Sequence, residues 1–151
     1  MRYFPAPLTR ADSDALADQI EALIARQGWG LWALERRATG DFIGVTGLAH
    51  PMFEAPFMPA VEIGWRLSRD AWGAGLATEA ATAAATFAFG ELGLDEIVSF
   101  TAHDNARSRA VMRRLAMRHD DADDFDHPRV VEDRLRRHVL YRLSAADWRV
   151  L

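Results

Sequence analysis

The chain has no cysteine among its 151 residues. That excludes a disulfide scaffold, a cysteine nucleophile and a thiolate metal site. It also has no lysine: all eighteen basic residues are arginine. Together with the heavy use of alanine, this is a genome-composition signature (GC-rich coding) more than a functional one. No apolar run approaches the ~20 residues of a membrane span. Met1-Arg2-Tyr3-Phe4-Pro5 shows no signal-peptide core, so the expected compartment is the cytoplasm. There is no excess of positive charge. The formal net charge is -4, which argues against nucleic acid as a partner. What remains is ordinary globular composition, half hydrophobic and a quarter charged. The length suits one domain over 1–151.

Periodicity then orders the chain. Thr9 to Gln27 reads as a helix, with Thr9 as N-cap, Leu16, Ile20, Leu23 and Ile24 on one face, and Gly28 as its stop. Trp29–Leu34 and Phe42–Leu48, separated by Ala38-Thr39-Gly40-Asp41, read as an antiparallel hairpin. Three prolines break the pattern over 50–59, and 61–67 alternates as a strand. The stretch 68–75 is a loop of small residues, and alanine-rich Leu76–Phe89 is a helix. A strand over 96–102 follows, then a short helix over 105–115 with Val111, Met112 and Leu115 inward. His119 to Pro128 carries five aspartates and reads as a loop; 137–143 is the last strand, and Ser144–Trp148 a capped turn. The order predicts a mixed α/β domain built on one sheet.

The segment that carries chemistry is 62–78. There a strand runs into Gly73-Ala74-Gly75, and this loop opens a helix. A helix N-terminus presents unpaired N–H groups and about half a positive charge, which suits a phosphate or pyrophosphate. Gly-x-Gly before a helix is equally often a plain tight turn. Two dinucleotide readings fail: the third Rossmann position is Thr78, and a Walker A loop needs a lysine.

Three ordered blocks turn the pattern into a resemblance. They are Glu62-Ile63-Gly64-Trp65-Arg66-Leu67 with Trp72-Gly73-Ala74-Gly75-Leu76-Ala77-Thr78; Asn105-Ala106-Arg107-Ser108 with Val111 to Met117; and Asp124-Phe125-Asp126-His127-Pro128 with His138 to Leu143. Together they resemble the GNAT superfamily of N-acetyltransferases, more narrowly the RimJ/RimL-like branch that acetylates ribosomal-protein N-termini. The resemblance spans about Met1 to Trp148. It implies the GNAT fold, in which a mostly antiparallel mixed sheet splits between two parallel strands, here those at 61–67 and 96–102. It implies acetyl-CoA as cosubstrate and no metal. The pyrophosphate would rest on Trp72, Gly73, Ala74, Gly75, Leu76, Ala77 and Thr78, and the pantetheine arm beside Trp65, Arg66 and Leu67. Asn105 would bind the arm or order the loop, a role compatible with capping its own helix.

The implied reaction is acyl transfer to a primary amine, a protein N-terminus or a small-molecule amine, through a tetrahedral intermediate. Such an amine must lose a proton before it attacks. Glu62 is the candidate base, against a bland role as a strand-end carboxylate. Ser108 is the candidate acid for the thiolate, against a bland role as a first-turn serine. Many relatives use a tyrosine one turn later, where this chain has Met112. His50, His103, His119, His127 and His138 read as structural or exposed. Asp120, Asp121, Asp123, Asp124 and Asp126 lack an EF-hand pattern. They read as a solvated, mobile loop, with attraction of a cationic amine as the functional alternative. Trp72 would wedge the glycine loop, and Trp29 or Trp32 line the acceptor site.

Three departures stand out. Asp70 occupies a position where relatives carry glutamine or arginine. Ala116 replaces a glycine. The resemblance implies a first strand and helix ahead of the segment that Met1 opens, and the expectation is of a domain without them. The last point leaves the 29–34 strand an open edge and makes a homodimer the expected assembly. A non-catalytic acetyl-CoA-binding module, or a truncated one acting through dimerisation, is the alternative reading.

Overall fold

A computed structural model describes residues 8–149. The first helix, α1 (Arg10–Gln27), starts where expected: the Thr9 side chain accepts from the Asp12 N–H, and Gly28 closes it in the left-handed conformation. Its apolar face is less used than the periodicity suggests. None of its residues is buried, and Leu16 is 38% exposed.

The hairpin follows as β1 (Leu31–Glu35) and β2 (Phe42–Ala49), and β3 (Glu62–Leu67) then pairs antiparallel with β2. Gly44 holds a positive φ of 146° in this ladder, and a Cβ there would sit 2.1 Å from the Arg66 carbonyl oxygen. The close approach of β2 to β3 therefore requires glycine. A 3-10 turn at Arg69–Ala71 breaks the expected plain loop before α2 (Leu76–Gly90).

Next come β4 (Glu96–Ala102) and α3 (Ala106–Arg114), as expected. The aspartate segment differs from its sequence reading. It forms β5 (Arg118–His119), a 3-10 turn at Asp121–Asp123, and β6 (Phe125–Asp126), both strands pairing with a later one. Its carboxylates are structural ligands. Asp120 caps the Ala122 N–H, and Asp124 accepts from His119 and from the Leu140 N–H. Strands of two residues are too short to leave a period in sequence. The one-turn helix α4 (Asp133–Arg136) also left no such trace; β7 (Arg137–Ser144) and α5 (Ala145–Trp148), capped by Ser144, match expectation.

The main path of the sheet runs β1-β2-β3-β4-β7-β5, with β6 also on β7. All pairs are antiparallel except β3 with β4. One face packs against α2 and α3, with Leu48, Ile63, Ile97, Met112, Leu115 and Leu143 at its centre. Each such fully buried side chain contributes about 1.5–3 kcal/mol. The alanines of α2 (Ala81, Ala84, Ala85, Ala88) are themselves buried, which lets the helix lie close on the sheet. The other face carries a smaller cluster, Val98, Phe125 and Leu140, with Phe53, Phe57 and Phe100 packed on it. No helix among the described residues is long and apolar enough to cross a membrane.

Candidate active site

The parallel pair is the unusual feature. β3 and β4 share a single register pair, Glu62 with Val98, and one neighbouring hydrogen bond from the Val98 N–H to the Val61 carbonyl, 2.9 Å. β3 stays fully paired with β2, and β4 with β7 from Glu96 to Ala102. Beyond Glu62 and Val98 the two strands therefore part, and the sheet opens toward Leu67 on one side and Ala102 on the other.

Both strands lead straight into the predicted site residues. After Leu67 the chain turns through Trp72, whose indole N–H donates to the Leu67 carbonyl at 3.0 Å. Trp72 does not wedge the loop by burial: it is 46% exposed, and the Arg107 guanidinium lies over its ring at 4.6 Å. Gly73 and Gly75 have φ of 80° and 78°, and nothing lies within 4 Å of a Cβ built on either. Gly75 is the N-cap of α2 and offers no side-chain acceptor. The first-turn N–H groups of Leu76, Ala77 and Thr78 thus point out of a bare, exposed loop that can come close to an anion. A phosphate-bearing ligand fits this donor set. An acidic residue, Asp70, and a basic one, Arg107, both lie near.

After Ala102, Asn105 caps α3. Its Oδ1 accepts from the Ser108 N–H at 3.3 Å, and its Nδ2 donates to Thr101 Oγ1 at 2.8 Å. The capping role is thereby filled, with the carboxamide pinned at the head of the opening. Ser108 sits in the first turn of α3, and Trp65 reaches it from β3: the indole N–H donates to Ser108 Oγ at 3.1 Å. This bond ties the two sides of the split together. It occupies an acceptor lone pair of Ser108 and leaves the hydroxyl proton available to donate.

Glu62 points the other way. Alternation along β3 puts Ile63 and Trp65 on the α2 and α3 face, and Glu62, Gly64 and Arg66 on the opposite one. A Cβ on Gly64 would meet only Glu62 Oε1, at 3.7 Å. No hydrogen bond or ion pair among the described residues engages the Glu62 side chain, and no fully buried side-chain oxygen is left without a partner, so its carboxyl keeps an opening to solvent. Burial nevertheless pushes its pKa up to about 8. Burial also lowers that of Arg66. The two candidate chemical groups thus lie on opposite faces of the sheet, at the point where the sheet parts.

Sequence reasoning missed the aromatic wall on the Glu62 face. Phe53 and Phe57, from the proline loop, meet Phe100 and Phe125 with centroid separations between 5.0 and 6.3 Å. His127 stands 4.4 Å from Phe53 and 4.9 Å from His138. Burial lowers both imidazoles, His127 to about 4, so the wall is uncharged at neutral pH. Two phenylalanines four apart in a proline-broken loop were the available signal. The tryptophans fall elsewhere: Trp32 packs on Phe87 of α2, and Trp29 on His50. His119, Asp121 and Asp124 bring three possible metal ligands together, but His119 already turns one nitrogen to each carboxylate.

Comparison with known proteins agrees with this geometry. The domain family described as "Acetyltransferase (GNAT) domain" matches residues 1–118. A curated relative, the FsC-acetyl coenzyme A-N(2)-transacetylase of Aspergillus fumigatus, is 33% identical over 129 residues, 80% of this chain and 52% of that one. The chain spans about half the length of the curated relatives it matches. A crystal structure of an acetyltransferase from Agrobacterium tumefaciens superposes with a TM-score of 0.67 at 27% identity, covering 91% of this chain and 74% of that one. A GNAT-family acetyltransferase from Bacillus anthracis gives 0.76 at 19% identity, covering 97% of this chain and 81% of that one, a likeness of fold. By the family match over its first 118 residues, and by a sheet that parts where that family's sheet parts, the chain belongs to the GNAT acetyltransferase family.

Proposed function

We propose that this chain transfers an acetyl group from acetyl-CoA to a primary amine, a protein N-terminus as in the RimJ/RimL-like branch or a small-molecule amine. The observation that carries the reading is the split between β3 and β4, reduced to one register pair and flanked by the bare, glycine-capped start of α2. Acetyl-CoA supplies an activated acetyl group. The α2 first turn and the Gly73–Gly75 loop would hold its pyrophosphate, and the unpaired edge of β3 at Trp65, Arg66 and Leu67 would run beside its amide-bearing arm.

The residues divide the proton traffic. Glu62 takes a proton from the acceptor ammonium, directly or through water; a carboxyl with a pKa near 8 is matched to an α-amino group of about 8. Ser108 gives its hydroxyl proton toward the leaving thiolate while its oxygen is held by Trp65. Asn105 fixes the turn that places Ser108. We extend the proposal to a homodimer through β1, which among the described residues pairs only with β2 and whose Leu31–Leu34 stretch carries no charge.

The test is thermal. Binding to the native state alone raises stability by about 2.7 kcal/mol at a ligand concentration of 100 Kd. Acetyl-CoA at saturation should raise the melting temperature, and thiol release should follow on adding a panel of amines and N-terminal peptides. No thermal shift would remove the proposal.

A further inference from the structure

The Glu62 face of the split has a composition of its own. From the single pair of Glu62 with Val98, two residues further along each strand bring Gly64 abreast of Phe100 across the opening. Gly64 leaves this place bare and is itself partly exposed, although it lies in the middle of a central strand. Glu62 borders the space on one side. Phe100 borders it on the other, with Phe57 from the overlying loop 5.9 Å away. Ala60 and Phe53 complete the same cluster.

The charges on this face are few. Glu96 and Asp123 are both taken by Arg142, at 2.8 and 2.7 Å. Arg66 places a guanidinium two residues beyond Gly64. Glu62 borders the opening with a carboxyl that burial holds largely protonated at neutral pH, Glu54 lies exposed in the overlying loop, and the rest of the wall is rings and neutral imidazoles. A monoamine finds the Glu62 carboxyl for its nitrogen and an apolar wall for its substituent.

We propose that the space over Gly64, between Glu62 and the rings of Phe57 and Phe100, is the acceptor subsite, and that it takes a primary monoamine carrying an aromatic or similarly bulky apolar group. This rests on the acetyl-transfer reading above. Phe57 and Gly64 are its specificity-determining positions: the first supplies the wall, the second the room.

The experiment uses the purified chain with acetyl-CoA and three amines: 2-phenylethylamine, ethanolamine and spermidine. Thiol release gives kcat/KM for each, and the acetyl-CoA thermal shift is measured in parallel. Each apolar group placed in a fitting pocket is worth about 10-fold or more in kcat/KM. 2-Phenylethylamine should therefore exceed ethanolamine by at least about 10-fold. Phe57→Ala should collapse that ratio while leaving the acetyl-CoA shift in place. Gly64→Ala adds a methyl that meets only Glu62 Oε1, so it should fold, keep the shift, and lose turnover of the phenyl amine more than of ethanolamine. Absence of any acetyl-CoA shift in the unmodified chain would overturn the acetyl-transfer reading, and this one with it. A retained shift with preference for ethanolamine or spermidine would overturn the acceptor assignment alone. So would a retained shift with no turnover of any of the three, or a ratio unchanged in Phe57→Ala.

Discussion

Replacing Ala116 by glycine should make the protein more stable. Ala116 is the one non-glycine residue with positive φ among the described residues, at 58°. It sits at the end of α3 in a Schellman arrangement: the Met117 N–H bonds to the Met112 carbonyl and the Ala116 N–H to the Arg113 carbonyl, both at 3.0 Å. Met112 and Met117 are both buried, the apolar contact that accompanies this motif. The turn is thus fixed from both sides and forces its middle residue into the left-handed region. An L-residue pays about 1–2 kcal/mol to be there. The Ala116 side chain is exposed, so removing its Cβ forfeits no packing. Against the relief stands the extra freedom glycine gives the unfolded chain, about 0.4–1 kcal/mol. The net is a gain of about 0.5–1 kcal/mol, or roughly 1–4 °C in melting temperature for a domain of this size. Differential scanning fluorimetry, with urea melts showing a higher midpoint at unchanged slope, measures it. Ala116→Val, branched at Cβ, should move in the opposite direction. A glycine variant that melts at or below the parent temperature would refute the reasoning.

Other expectations follow from the same structure. Glu62→Gln should lower kcat/KM most above pH 8, where the parent's base is ionised, and leave only the shallower rise that the acceptor amine's own titration produces. Its folded pKa lies above the ordinary 4.5, so the unfolded chain ionises first and the parent loses stability as pH rises from 4.5 to about 8. The glutamine variant should lack that decline in a pH series of thermal melts, and an identical decline would clear Glu62. Ser108→Ala should lower kcat by about 100-fold with little change in acetyl-CoA affinity by calorimetry; unaltered turnover would remove Ser108 from the reaction. Gly44→Ala should destabilise by about 3 kcal/mol or more, because strain at its φ of 146° adds to a Cβ 2.1 Å from the Arg66 carbonyl, and chemical denaturation reads it directly.

How far these features were legible in sequence depends on their range. The long elements were readable because their signals are local: the Thr9 cap, the Gly28 stop, the Gly40 turn, the alternation of 62–67. The positive φ at Ala116 was legible only through the family pattern, since alanine by itself declares nothing about its backbone. The aspartate segment was misread for the opposite reason. Its composition says solvent, but Asp124 is held by His119 and by the Leu140 N–H, sixteen residues away in sequence. Gly44 shows the same limit: it reads as a weak point in a strand until β3 is laid beside it. Long-range partners are what one sequence does not display.

The distribution of chemistry across the sheet is the strongest case of this. In sequence, Glu62 and Ser108 are two candidates for one reaction, and nothing tells which side either occupies. Register settles the sides. Trp65 bonds Ser108 on the helical face, so its neighbours Glu62 and Gly64 belong to the other face. In an unbroken sheet two such groups could not serve one reacting centre, because the backbone between them would be closed by hydrogen bonds. Here the ladder stops after one pair, and the strand is bare at Gly64 just beyond it. The split therefore does two things at once. It leaves backbone edges free, where the proposed donor would lie along the α2 and α3 face, and it joins that face to the one where Glu62 stands. In the proposed reaction, Glu62 as base and Ser108 as acid stand on opposite faces, which suits two substrates entering from opposite sides. The position of the break, one residue before Gly64, is what allows them to meet.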